Sequence, residues 1–149
     1  MNARKAIPRS RPTEPEAAEK PGGELWVNVV FTGIKQTLAA LRTAAVLAAD
    51  LRGRIVVLVP QVVPYPAPLD SGSVPRAFLV HRLVTAVSES RIETHIRVCV
   101  CRDRRTALSA ALPPCSIVVL GGGKRWWPTQ EQRLAAELRR QGHHVVVAG

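Results

Sequence analysis

Aromatic side chains are scarce in this chain, acidic ones are outnumbered, and long apolar runs are missing. Phe, Trp and Tyr make up 4% of the 149 residues, which makes the adjacent Trp126 and Trp127 its most unusual string. No stretch of about eighteen consecutive apolar residues occurs, and the first residues carry no hydrophobic signal core. These absences point away from membrane insertion and export, so the expected address is the cytoplasm and no membrane partner is expected. Cysteine is confined to Cys99, Cys101 and Cys115, an odd number, which argues for reduced thiols rather than a disulfide framework. Asp and Glu number 11 against 21 Lys and Arg, giving a formal charge of +10 and a pI of about 11.0. That balance favours an anionic partner, whether nucleic acid, a phosphate ligand or a lipid surface, without choosing among them.

What is present starts with a compositional break. Residues 1–23 carry Pro8, Pro12, Pro15 and Pro21, mixed charge, and Ile7 as the one large aliphatic after Met1. Such a segment buries too little apolar surface to offset its ordering entropy, so it reads as a disordered, basic, Pro-rich tail. Residues 24–149 then form one domain, long enough for a proper core and too short for two.

Within the domain, strands and helices alternate. Trp26-Val27-Asn28-Val29-Val30-Phe31 is a β-branched and aromatic run ending at Thr32-Gly33, the first strand. Ile34, Leu38, Leu41, Ala45 and Ala48 recur at helical spacing, with Gly53 as the expected C-cap glycine. Ile55 to Val59 is a short apolar strand ending at Pro60, followed by a loop with Pro64, Pro66 and Pro68. Pro75 opens a second helix whose inner face is predicted to hold Ala77, Val80, Leu83, Val84 and Val87. Residues 92–101 alternate as a third strand, one-sided enough to be an edge. Asp103 caps a short helix carrying Leu108 and Leu112, which Pro113-Pro114 ends. Ile117 to Leu120 is the fourth strand, Thr129 with Gln132 makes a capping-box pattern before the last helix, and Val145 to Val147 is the fifth strand. This alternation predicts an α/β fold: a parallel sheet with helices on both faces.

The fourth strand empties into Gly121-Gly122-Gly123-Lys124-Arg125 and then a capped helix. In an open parallel sheet, ligands sit beyond the C-terminal strand ends where the strand order reverses, which sets Thr32 and Gly33 opposite Gly121, Gly122 and Gly123. Consecutive glycines let backbone N–H groups approach an anion, Lys124 and Arg125 supply positive charge, and the helix beginning at Thr129 adds a partial positive end. The same glycines can also simply relieve crowding where a strand turns, and no complete Walker or dinucleotide spacing is present.

The order of elements and several strings resemble the universal stress protein family over residues 24–149. The strings are Val29-Val30-Phe31-Thr32-Gly33, Arg102-Asp103-Arg104, Ser116-Ile117-Val118-Val119-Leu120-Gly121 and His144-Val145-Val146-Val147. The resemblance implies a Rossmann-like domain of the adenine-nucleotide alpha hydrolase type, with five parallel strands in the order 3-2-1-4-5. It also implies a homodimer paired through the C-terminal strand and, in one branch, ATP held between strands one and four. That branch has an acidic residue ending strand one and the pattern G-x2-G-x9-G-S/T after strand four. Here the acidic position is Thr32, Lys124 stands at the second glycine, and Glu131-Gln132 takes the place of the late pair in a shortened loop. The departures imply a degenerate nucleotide site, with ATP not routinely bound.

Other candidates carry less chemistry. Trp126 and Trp127 would either plug the space that a nucleotide occupies in relatives, or form a contact with a protein partner or a stacked base. Cys99 and Cys101 share one face of the third strand, but C-x-C lacks the usual zinc spacing and His143-His144 lie at the opposite sheet end. Buried free thiols, and no metal, are the expectation. Thr32, Cys101, Asp103 and Lys124 reach the strand ends without forming a carboxylate pair or a Ser-His-Asp set, and His81 lies in mid-helix, so no catalytic residues are assigned. Arg91, Arg97, Arg102, Arg104 and Arg105, with Arg133, Arg139 and Arg140, read as solvated faces unless folding collects them into a nucleic-acid footprint. The leading expectation is a stress-type binding or signalling protein working by dimerisation or partner contact without catalysis. The alternatives are a non-standard ATP or AMP binder using Gly121 to Arg125, and a basic nucleic-acid-associated protein.

Overall fold

The computed structural model describes residues 25–69, 74–89, 92–122 and 129–149. The expected tail, residues 1–23, lies outside them. The elements in chain order are β1 (Trp26–Val30), α1 (Ile34–Leu51), β2 (Arg54–Val62), α2 (Val74–Glu89), β3 (Thr94–Cys101), α3 (Arg104–Ala111), β4 (Ile117–Gly121), α4 (Gln130–Arg140) and β5 (His144–Ala148). The strands form one sheet in the order β3-β2-β1-β4-β5, every neighbouring pair parallel.

The strands' period of two divides their side chains between two cores. Val27, Val29, Ile55, Val57, Val59 and Val119 pack with Ala40, Leu41, Ala44 and Ala48 of α1 and with Leu83 and Val87 of α2. On the other face Val30, Leu58, Val118 and Leu120 meet Leu108, within α3, Leu112, just beyond its end, and Leu134, Ala135 and Leu138 of α4. Burying each large aliphatic contributes about 1.5–3 kcal/mol relative to leaving it in water. Among the polar residues buried in this interior, Asn28 sits in mid-β1, where its Nδ2 donates to the Ile117 carbonyl at 3.1 Å and ties β1 to β4.

Four sequence expectations are corrected. β2 does not stop at Pro60 but continues to Val62, paired with β3 alone beyond the end of β1. The Arg54 N–H bonds the Leu25 carbonyl and the Leu58 carbonyl accepts from Phe31, so the even residues of β2 turn toward β1. The missing donor of Pro60 therefore falls where β1 has already ended, and no ladder bond is lost. The inner stripe of α1 is Thr37, Ala40, Leu41, Ala44 and Ala48, rotated from the expected one. Small side chains let the helix axis approach the sheet closely, and they register weakly in an apolar pattern. On α2, Ala77 and Val84 are exposed, because only a narrow stripe around Leu83 and Val87 reaches the core. Finally, the cysteines are not buried: Cys99 and Cys101 are half-buried on the edge strand and Cys115 is exposed, in a left-handed turn residue with φ 56°.

The helix ends explain two glycines. α4 closes with Gly142 at φ 94°, its N–H bonded to Arg139 and that of His143 to Leu138, the paired bonds of a Schellman motif. α1 ends in the same way, but the left-handed residue is Arg52, at φ 52°, and Gly53 comes one place later. A Cβ on Gly53 would stand 2.8 Å from the Leu25 carbonyl oxygen, so this glycine makes room for the β1 backbone instead of supplying the turn.

Candidate functional site

β1 leads through α1 toward β2, while β4 leads through α4 toward β5, on the other side and over the other face. The two chains diverge, leaving a crevice at the C-terminal ends of β1 and β4. Thr32 lies there, its Oγ1 donating to the Gly121 carbonyl at a long 3.5 Å. Gly33 follows as the N-cap of α1 without a side-chain cap, and no acidic residue occupies that first turn. One turn in, the Thr37 hydroxyl is buried without a hydrogen-bond partner among the described residues.

Gly121 permits α1 to sit directly on the end of β4, since a Cβ there would overlap the carbonyl of Gln36. Gly122 closes the sheet beside β5: its N–H bonds the Ala148 carbonyl at 2.8 Å, and a Cβ would stand 2.9 Å from Val147 Cγ1. Gly123, Lys124 and Arg125, with Trp126 and Trp127, lie outside the described residues. Thr129 caps α4, its hydroxyl accepting from the Gln132 N–H at 3.3 Å while Gln132 Oε1 accepts from the Thr129 N–H at 3.2 Å.

No protein-family model matches the chain, and no curated protein does. Among solved structures, a universal stress protein in complex with cAMP matches with a TM-score of 0.56 and 15% sequence identity, over 85% of this chain and 98% of its own. The chain has the universal stress protein fold.

In that fold the crevice gains walls that the sequence did not announce. Arg104 is one helical turn before Leu108, so it continues upward the stripe that buries Leu108 in the face shared with α4. Glu131 is likewise one turn before Ala135 on the inner stripe of α4. The two side chains top two helices covering the same face, on either side of β1, with Thr32 at the end of the floor between them. The Arg104 guanidinium is half-buried, and that burial lowers its pKa, with the Glu131 carboxylate acting in the opposite sense. Its Nε and Nη2 are inaccessible to solvent and have no hydrogen-bond partner among the described residues. Arg104 is thus not part of a solvated face, and neither is Arg102. The Nη1 of Arg102 donates to the carbonyls of Val63, Pro64 and Ala67 at 3.1, 3.2 and 2.7 Å. Its guanidinium lies 4.2 Å from the centre of the Tyr65 ring, so one side chain ties down the loop after β2.

The remaining polar groups at the strand ends are engaged in local hydrogen bonds. Asp103 is engaged as the cap of α3, accepting from the Thr106 N–H and hydroxyl at 3.0 and 2.8 Å, bonds that lower its pKa. The Cys101 thiol donates to the Gln61 carbonyl at 3.5 Å, and burial, then Cys99, then Asp103 push its pKa up, away from the reactive thiolate. Among the described residues no three His, Cys, Asp or Glu side chains are grouped to hold a metal ion, and no helix is long and apolar enough to cross a membrane. A shallow cavity of about 190 Å³ is lined by Ala45, Gly53, Arg54, Ile92 and His95, at the opposite end of the sheet from Thr32.

Proposed function

We propose that residues 24–149 are a universal-stress-type binding domain with an altered nucleotide site, acting through ligand binding and self-association without catalysis. The observation that carries this reading is the crevice between the ends of β1 and β4, where Thr32 stands in place of the acidic residue and its hydroxyl turns to the Gly121 carbonyl. A hydroxyl there accepts a ribose hydroxyl less strongly than a carboxylate would, because the charge-assisted bond is lost. The Gly122 N–H is already bonded to Ala148, which leaves a poorer cradle for a triphosphate. The cAMP held by the protein of like fold supports an adenine nucleotide as the ligand class and a small phosphate group as its anionic part.

The test is isothermal titration calorimetry of the purified chain with cAMP, AMP and ATP. Binding of cAMP or AMP in the micromolar range with weaker binding of ATP is the expected result. Tight ATP binding with hydrolysis would overturn the altered-site reading, and absence of any nucleotide binding would overturn the nucleotide assignment.

A further inference from the structure

The orphan donors of Arg104 narrow the anion that the crevice can take. Nε–H and Nη2–H lie along one edge of the planar guanidinium and point the same way, a fork that matches two oxygens of one phosphate or carboxylate. Both are buried with no partner among the described residues, whereas the neighbouring Arg102 has its Nη1 bonded to three carbonyls. Buried donors in native proteins are nearly always satisfied, so an unpartnered pair on a single edge indicates what belongs against it. Placement agrees: Arg104 stands one turn before Leu108 on α3, and Leu108 packs in the apolar layer of Val30, Leu58 and Leu120 on the face where β1 ends. Glu131, on the opposite wall, limits how much negative charge the space accepts, since a second and third phosphate would bring like charge toward its carboxylate.

We propose that the Nε–Nη2 edge of Arg104 binds the phosphoryl group of the ligand, so that the crevice takes a nucleotide with a single phosphate, open or cyclic, in preference to a triphosphate. This rests on the nucleotide reading above for the base and ribose, though not for the phosphate.

The full chain is compared with Arg104→Met, which keeps the length and apolar stem, and Arg104→Lys, which keeps the charge and loses the fork. Calorimetry measures AMP, cAMP, ATP, adenosine and inorganic phosphate, and thermal melting checks that each variant folds. Arg104→Met is expected to weaken AMP and cAMP by about ten- to a hundredfold and leave adenosine unchanged, with Arg104→Lys in between. Should Arg104→Met fail to fold, the contrast between AMP and adenosine in Arg104→Lys carries the test. Equal AMP affinity in the unaltered chain and the variants overturns the Arg104 assignment and leaves the nucleotide reading standing. Phosphate bound by the unaltered chain and lost in Arg104→Met, with adenosine and AMP no better than phosphate, removes the nucleotide reading and keeps the Arg104 site. Binding of neither phosphate nor nucleotide overturns both.

Discussion

Single residues in this protein do work that their neighbours would be expected to do. Arg52 adopts the left-handed conformation that ends α1, and Gly53 fills a space too tight for a Cβ. Arg52→Gly is therefore expected to raise stability by about 0.5–1 kcal/mol, the relief of left-handed strain in an L-residue less the added freedom of the unfolded chain. Gly53→Ala should lower stability by about 1–3 kcal/mol, as overpacking does. Urea denaturation of the two variants checks both signs, and a stabilised Gly53→Ala would show that the Leu25 carbonyl can move aside. His143 gives a second prediction. Its Nδ1 accepts from the Ser116 N–H at 3.1 Å, which requires the neutral ring, and burial lowers its pKa from the ordinary 6.5. The folded state thus binds this proton less readily than the unfolded chain. The stability contributed by the neutral ring is fully present above about pH 6.5 and is lost as the pH falls below it. His143→Asn, whose side-chain oxygen can take the same bond, should flatten the pH dependence of the melting temperature between pH 7 and pH 5 relative to the unaltered chain.

At the scale of elements, the loop after the long β2 is held by a side chain from the residue that follows β3. Three carbonyl bonds and the stacked Tyr65, itself 80% exposed, make Arg102 the attachment of residues 63–67 to the end of β3. Arg102→Met is expected to speed amide exchange in that loop by about tenfold or more while β1 and β4 keep their protection, because the loop and not the sheet loses its bonds. Exchange mass spectrometry reads this directly, and uniform deprotection of the sheet would contradict a local role. The elements also show where sequence periodicity works. α3 and α4 were legible from their caps, since Asp103 and the pair Thr129 with Gln132 are local signals that the fold leaves intact. The inner face of α1 was not legible, because alanines and a threonine pack there for closeness and leave little apolar signal. Arg104 reads from the sequence as a solvated charge and Glu131 as a replacement in the shortened loop; that each tops a buried stripe on helices sharing one face is a fact of topology.

For the whole molecule, the exposed edges of the sheet matter. β5 is a short outer strand whose Val146 and Val147 are 37% and 38% exposed, with backbone groups on one side unpaired by any strand of the sheet. Such an edge favours pairing with a second copy, in line with the proposed self-association. Light scattering coupled to gel filtration is expected to give a dimer for the full chain and a monomer for Val146→Lys, which sets a charge into the edge. A monomer for the unaltered chain at tens of micromolar would remove the dimer from the proposal. The net charge of +10 acts at the same scale, favouring encounter with anionic ligands in a manner that salt will screen.

The sequence by itself determined the alternation of strands and helices, the positions of most helix caps and the apolar strand cores. Each depends on residues within a few places of one another, and local geometry is written in local order. Tertiary structure decided that β2 could run through Pro60, that Gly121 makes room for Gln36 and that Arg52 carries the left-handed turn. It alone set Arg104 and Glu131 on either side of the end of β1, because two helices 18 residues apart in the chain meet only when the sheet they cover has formed.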